Sequence, residues 1–212
     1  MDDYRAPAAL FEDTVPLPFL QDTLRMLFAA YRVASDECRE LPWEVTHDFR
    51  GHVRRKEIEK NWPGVATKYQ SDGVYVSYQL NRRKTAYFTQ VSCGRVILTE
   101  SYVATPETIV RRADFRKTFA RSNQPTLFGD DHPPLPADPL YALLIHGEDN
   151  KARHPYFADI VFPDPTVSTY LARIGLFSVF HSLIGTLIAP TQEEVIPDAA
   201  MPQLRAEEGR EA

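Results

Sequence analysis

Three consecutive runs rich in β-branched and aromatic residues constrain the fold of this chain more than any other sequence feature. The runs cover residues 73–80, 84–91 and 95–103, and a connector of three residues separates each run from the next. Connectors this short are typical of hairpins between neighbouring antiparallel strands. The spacing therefore predicts an antiparallel β-meander.

Apolar residues recur at three- and four-residue steps on both sides of this meander, which is the period of an α-helix. They predict an amphipathic helix from Pro18 to Glu40 and a second helix over much of residues 43–60. The Asn-Trp-Pro-Gly sequence of residues 61–64 predicts a turn. Thr105 is followed by Pro and Glu, the residue types that favour a helix start, so a further helix is predicted over residues 108–121.

The C-terminal half contains two short apolar runs and one longer apolar-rich stretch. Residues 139–145 and 156–162 predict buried strands, and residues 166–189 predict a closing helix. None of the uninterrupted apolar runs approaches the roughly twenty residues that a membrane-spanning helix needs, so no membrane partner is expected.

The two ends of the chain differ in composition from the rest. Polar, Pro-broken residues 1–16 predict an N-terminal arm pinned at Leu10 and Phe11, and Pro- and Glu-rich residues 190–212 predict a disordered acidic tail. Residues 17–189 are therefore expected to form a single domain of the α+β class, an antiparallel β-meander flanked by helices.

Charge and cysteine content restrict the classes of partner and compartment. The net charge of −5 gives no overall electrostatic attraction to nucleic acid or to an anionic membrane. Cys38 and Cys93 lie far apart, and Asp2 and Asp3 stand where an export signal would carry basic and then apolar residues. A reduced, cytoplasmic setting is therefore expected.

The sequence lacks the short motifs that mark common enzyme classes. Its nine glycines form no phosphate-binding or dinucleotide-binding spacing, and no Gly-x-Ser-x-Gly element, zinc-binding Cys pair or kinase signature is present. These observations predict a protein that acts by binding, without a cofactor and without enzymatic activity.

Histidine and acidic residues could build a metal site only if the fold assembled them from scattered positions. His47 and His52 follow no zinc-peptidase spacing, and no catalytic Glu stands between them. The other candidates fall into no recognised ligand spacing either: Asp130, Asp131, His132, His146, His154 and Asp159. The sequence therefore predicts no metal centre.

Residues 122–139 form the segment that is least able to continue a helix or strand. Four prolines follow Phe128 within eleven positions, and proline lacks an amide donor and pushes its predecessor toward extended geometry. The segment is therefore predicted to be extended and exposed. Leu127 and Phe128 then either pack back onto their own core or are offered to a partner.

The spacing Gln-x-x-Leu-Phe at Gln124, Leu127 and Phe128 resembles the short peptide by which bacterial polymerases and repair proteins hold the replication sliding clamp. In that family the Gln amide hydrogen-bonds near the mouth of a pocket, and the Leu and aromatic side chains fill its apolar floor. The resemblance covers five residues. Pro125 departs from the Leu that is often found at the second position.

In its motif, its size class and its lack of catalytic signatures, the chain is similar to the SocB-type bacterial toxins of toxin–antitoxin systems. That family blocks replication elongation through the sliding clamp of DNA polymerase III. The resemblance implies competition with other clamp clients. It also implies an antitoxin that acts as a proteolytic adaptor and hands the toxin to the ClpXP protease.

Basic residues just before the motif add a possible contact with nearby DNA, or they form an ordinary exposed face: Arg111, Arg112, Arg116, Lys117 and Arg121. Two other functions remain open at this point. One is a clamp-recruited, metal-dependent nuclease or repair enzyme that uses the Asp and His residues between 130 and 159. The other is a DNA-binding module of a mobile element that uses the Arg-rich helices.

Overall fold

The β-meander predicted from the three β-rich runs forms one half of a six-stranded sheet. In the computed structural model, β1 (Val74–Leu80), β2 (Tyr87–Cys93) and β3 (Val96–Tyr102) pair antiparallel in sequence order. The structure describes residues 7–81, 84, 87–123, 139–148 and 153–188.

The second half of the sheet is built from β4 (Leu140–Gly147), β5 (Phe157–Pro163) and β6 (Tyr170–Gly175). β3 pairs with β4 in parallel, and the other neighbours pair antiparallel, so the open sheet has the order β1-β2-β3-β4-β5-β6. Every residue of β4 and β5 is buried, which confirms the two predicted buried strands.

Helices flank this sheet, which confirms the predicted α+β class. They are α1 (Pro7–Thr14), α2 (Leu17–Glu37), α3 (Trp43–Lys68), α4 (Asp114–Ala120), α5 (Leu176–Val179) and α6 (His181–Ile188). Single 3-10 turns cover Gln70–Asp72 and Arg121–Asn123. No helix in the described ranges is both long enough and apolar enough to cross a membrane.

The two faces of the sheet carry cores of different size. Alternate residues of β4, beginning with Leu140, point to one face and join a large core with Phe11, Leu24 and Trp62 from α1, α2 and α3. The intervening residues, beginning with Tyr141, join a smaller core on the opposite face. Both faces of the central strands are thus covered, which explains why β4 and β5 lack polar alternation.

Two N-terminal predictions were wrong in their local conformation for the same physical reason. The arm expected at residues 1–16 is pinned at Leu10 and Phe11 as predicted, but it contains the helix α1, and the turn expected at residues 61–64 lies inside α3. In each case a large aromatic side chain is buried in the main core: Phe11 is fully buried and Trp62 is 1% exposed. Burial of such side chains outweighs the local preference of the neighbouring prolines.

The helix predicted over residues 108–121 was wrong in its first part, because α4 begins only at Asp114. A side chain of β6 forms hydrogen bonds with backbone groups that a helix beginning before Asp114 would need for its own hydrogen bonds. The Tyr170 hydroxyl donates to the carbonyl oxygen of Thr108 (3.0 Å) and accepts from the amide of Val110 (3.1 Å). These bonds hold the preceding segment in an irregular conformation.

The closing helix predicted over residues 166–189 was also wrong in its first part. Residues Tyr170–Gly175 form β6, which pairs with β5 at the edge of the sheet, and only then do the short helices α5 and α6 follow. Alternate β6 residues such as Ala172 and Ile174 pack on the main core. Pairing with β5 therefore determines that residues 170–175 form a strand and not a helix.

Candidate functional site

The clamp motif itself lies outside the described residues, as do Asp130, Asp131 and His132. The predicted extended, exposed loop at residues 122–139 is therefore described only at its two ends. Those ends are Ser122 and Asn123 on one side and Pro139 on the other. At the start of the loop the prediction was wrong, because Ser122 and Asn123 belong to a 3-10 turn and Asn123 is buried.

Both ends of this segment are fixed at one place in the fold. Asn123 is 5% exposed, and its side-chain amide donates to the carbonyl oxygens of Tyr141 (2.7 Å) and Pro163 (3.0 Å). Its side-chain oxygen accepts from the amide of Tyr141 (2.8 Å). The hydroxyl of Ser122 lies 2.6 Å from the carbonyl oxygen of Pro139. We call Ser122, Asn123 and Pro139 the segment base.

The basic residues predicted to contact DNA do not all share one environment. Arg111, Arg112, Lys117 and Arg121 are exposed. Arg116 is turned inward instead, where it donates to the carbonyl oxygen of Arg111 (2.7 Å) and to the hydroxyl of Ser101 (3.1 Å).

A cleft of about 540 Å³ lies between α3, β2, β3 and α4. It opens where the sheet separates: β2 pairs with β3 only as far as Val91 and Leu98. β2 nevertheless continues beside β1 to Tyr87, and β3 continues beside β4 to Tyr102. The volume is within the range of small-molecule sites.

A chain of hydrogen bonds links the main core to this cleft. The Tyr31 hydroxyl lies 2.7 Å from Nδ1 of His146, and Nε2 of His146 lies 2.6 Å from Oε1 of Glu100. Burial raises the pKa of Tyr31 well above its ordinary value, so the phenol keeps its proton. The carboxylate of Glu100 can only accept, so Nε2 of His146 donates to it, and the Tyr31 hydroxyl bonds to Nδ1 on the other side of the ring.

Glu100 is the carboxylate at the cleft end of this series of hydrogen bonds. Burial pushes its pKa upward, but the hydrogen bond from His146 and nearby positive charges, including Arg116 and Arg55, outweigh burial and leave the pKa below its ordinary value. The side chain is 18% exposed, and the bond from His146 involves only Oε1. Glu100 is therefore an ionised acceptor with unused hydrogen-bonding capacity.

A buried ion pair lies beside the hydrogen bonds that join Tyr31, His146 and Glu100. Nη1 of Arg54 lies 2.8 Å from Oε1 of Glu148, and both side chains are almost fully buried. The guanidinium carbon of Arg54 lies 4.1 Å from the ring centroid of Tyr102 and 4.8 Å from that of Tyr31. We call Tyr31, Arg54, Glu100, His146 and Glu148 the cleft floor.

The histidine and acidic residues considered for a metal site have different partners. His154 stacks on Phe28, and Asp159 forms an ion pair with Arg173 at 3.6 Å. His52 lines the cleft, whereas the side chain of His47 lies outside the described part. Among the described residues no group of three potential ligands could hold a metal ion. The metal-dependent nuclease hypothesis gains no support from them.

Most of the cleft floor was missed by sequence reasoning, which had singled out His146 there and, among the other cleft residues, His52 and Arg116. Tyr31, Arg54 and Glu148 come from parts of the chain that are far apart. Two weak signals existed: Glu100 places a charge within a β-rich run, and His146 ends an apolar strand. Neither signal shows that Glu100 and His146 lie close together, because only the parallel pairing of β3 with β4 brings these two residues together.

Comparisons of this chain with protein-family models, with curated proteins and with solved structures give no match.

Proposed function

We propose that this chain binds the sliding clamp of bacterial DNA polymerase III through Gln124, Leu127 and Phe128, and so blocks replication elongation as a toxin. The observation that carries the proposal is the segment base placed directly against the motif. Ser122, Asn123 and Pro139, which flank residues 124–138 in the sequence, are held at one place. A recognition peptide held at both ends loses less conformational freedom on binding than a free tail of the same sequence.

The expected affinity follows from the three side chains. Burial of a Leu and a Phe contributes roughly 1.5–3 kcal/mol each, and a satisfied Gln hydrogen bond adds about 1 kcal/mol. Ordering the segment offsets part of this gain, so an isolated peptide with this motif is expected to bind at a micromolar dissociation constant at best. Since polymerases and repair proteins share the clamp pocket, occupancy by this chain excludes them.

The remaining partners of the proposal come from the SocB-type resemblance: an antitoxin that acts as a proteolytic adaptor, and the ClpXP protease. The exposed residues Arg111, Arg112, Lys117 and Arg121 are candidates for contact with DNA held by the clamp. Arg116 is less suited to that role, because its guanidinium donates to Ser101 and to a backbone carbonyl oxygen.

The test is a calorimetric titration of a purified bacterial clamp with wild-type protein and with the Leu127→Ala/Phe128→Ala variant. The variant is expected to bind about 3–6 kcal/mol more weakly, which abolishes measurable binding. A matched control is Leu17→Ala/Phe49→Ala, which removes an exposed Leu and Phe elsewhere and is expected to bind as the wild type does. Circular dichroism checks that each variant is folded.

Equal clamp affinity in the wild type and the motif variant would refute the proposal. A motif variant that fails to fold would refute it as well, because Leu127 and Phe128 would then belong to the core. A primer-extension assay with clamp-loaded polymerase tests the consequence: wild-type protein should stop elongation and the motif variant should not.

A further inference from the structure

Aromatic side chains form much of the wall of the cleft. Tyr87 and Phe88 come from β2, Tyr102 from β3, Trp62 from α3 and Phe115 from α4. The rings of Phe88 and Phe115 stack with their centroids 3.9 Å apart, which closes one side of the cleft. Aromatic faces carry partial negative charge and attract cations.

Among the described residues of the cleft lining, carboxylates outnumber guanidiniums. The carboxylates are Asp48, Glu59, Glu100 and Glu148, and the guanidiniums are Arg54, Arg55 and Arg116. Two of the guanidiniums are already paired with carboxylates of the same cleft, Arg54 with Glu148 at 2.8 Å and Arg55 with Glu59 at 2.7 Å.

The third guanidinium is poorly placed to receive an anion. Arg116 donates to the carbonyl oxygen of Arg111 and to the hydroxyl of Ser101, and its Nε is buried. Glu100 is better placed to receive a ligand, because it is partly exposed and His146 bonds to only one of its oxygens. A carboxylate binds a planar, two-pronged N–H donor especially well.

From this arrangement we infer that the cleft binds a small organic cation: an amidinium, guanidinium or ammonium group attached to a flat apolar body. The cationic group donates to the carboxylate of Glu100, and the apolar body packs against Tyr87 and the other aromatic walls. None of the residues that carry this inference belongs to the proposed clamp motif, so the inference does not depend on the proposed function.

Benzamidine is a suitable probe, because benzamide and benzoate have nearly the same shape with neutral and negative head groups. Each compound is titrated into the full chain and followed by amide chemical shifts in NMR spectra. Benzamidine is expected to bind with a dissociation constant on the order of 1 mM or tighter, and the other two at least about tenfold more weakly.

Glu100→Gln keeps the shape of the side chain but removes its charge, and is expected to weaken benzamidine binding by about ten- to a hundredfold. Tyr87→Ala, at a wall residue that is 61% exposed, should weaken it severalfold without unfolding the protein. The matched control Glu12→Gln changes an exposed carboxylate on α1 and should have no effect.

Benzoate binding as tightly as benzamidine would overturn the inference, as would benzamidine binding that is unchanged in both Glu100→Gln and Tyr87→Ala. Absence of benzamidine binding at several millimolar would overturn it too. The clamp titration with Leu127→Ala/Phe128→Ala is independent of these results, so failure of one proposal can be distinguished from failure of the other.

Discussion

The segment base and the cleft floor differ in how the chain builds them. The segment base joins Asn123 to β4 and β5 and adjoins a motif of five consecutive residues. The cleft floor is assembled from α2, α3, β3, β4 and the residue after β4. Changes within the motif should therefore affect binding alone, whereas changes in the cleft floor should also affect the core. This difference makes the two sites separable by mutation.

The largest effect on stability is expected from Glu148→Gln, which leaves the guanidinium of Arg54 buried without its counter-charge. Loss of one partner of a buried pair typically costs about 3–5 kcal/mol of unfolding free energy. Urea denaturation measures this loss. Glu59→Gln is the matched control, because it breaks the exposed pair with Arg55 and should cost less than about 1 kcal/mol.

Clamp affinity of folded Glu148→Gln protein should equal that of the wild type, because the motif is not part of the cleft floor. A similar loss of stability in Glu148→Gln and Glu59→Gln would show that the buried pair is no more important than the exposed one.

Asn123→Ala tests the segment base. The substitution removes three hydrogen bonds of a buried side chain and should lower the unfolding free energy by about 2–3 kcal/mol. It should also weaken clamp binding, because the motif is then less well anchored, while benzamidine binding stays unchanged. Asn61→Ala, at an exposed asparagine of α3, is the control for both measurements. Unchanged clamp affinity in Asn123→Ala would show that anchoring is irrelevant to recognition.

Acid titration of stability tests the charge of the cleft floor. Because the folded protein lowers the pKa of Glu100, its ionised form stabilises the fold above the ordinary pKa of a glutamate. This stabilisation is lost as the pH falls through the lowered pKa. Urea denaturation at decreasing pH should therefore give a steeper decline for the wild type than for Glu100→Gln, by at most about 1.4 kcal/mol per pH unit. Parallel curves would mean that Glu100 is not held ionised by the fold.

The smallest effect is expected from Gln124→Ala, which removes one hydrogen bond from the proposed clamp contact. Calorimetry should show a loss of about 1 kcal/mol in clamp affinity, with no change in stability or benzamidine binding. Gln70→Ala, at an exposed position outside the motif, provides the comparison. A loss as large as that of the Leu127/Phe128 variant would mean that the Gln, rather than the apolar pair, dominates recognition.

The sequence predicted the parts of the fold that depend on neighbouring residues. Short connectors were sufficient to predict the β-meander, and apolar runs were sufficient to predict β4 and β5. The predictions failed where a distant side chain decided the outcome. Tyr170 determines the conformation near Thr108, and burial of Trp62 keeps α3 helical past Pro63.

The same distinction applies to the two sites. A linear motif can be recognised in the sequence because its specificity lies in residue spacing, and Gln124, Leu127 and Phe128 stay a prediction that rests on it. The cleft floor has no such spacing, because Tyr31 and His146 meet only after the helices have packed on the sheet. The shift in the pKa of Glu100 likewise exists only in the folded protein.

The parallel pairing of β3 with β4 should hold the two parts of the chain together after a cut between them. Residues 124–138 lie between these two strands in the sequence, and the strands stay joined through the register from Val96–Leu140 to Tyr102–His146. After hydrolysis of a peptide bond in that stretch, the two fragments would stay associated through the sheet, and the main core would remain intact. If the proposed clamp contact requires both ends of the segment to be anchored, such a cut should abolish it without unfolding the protein.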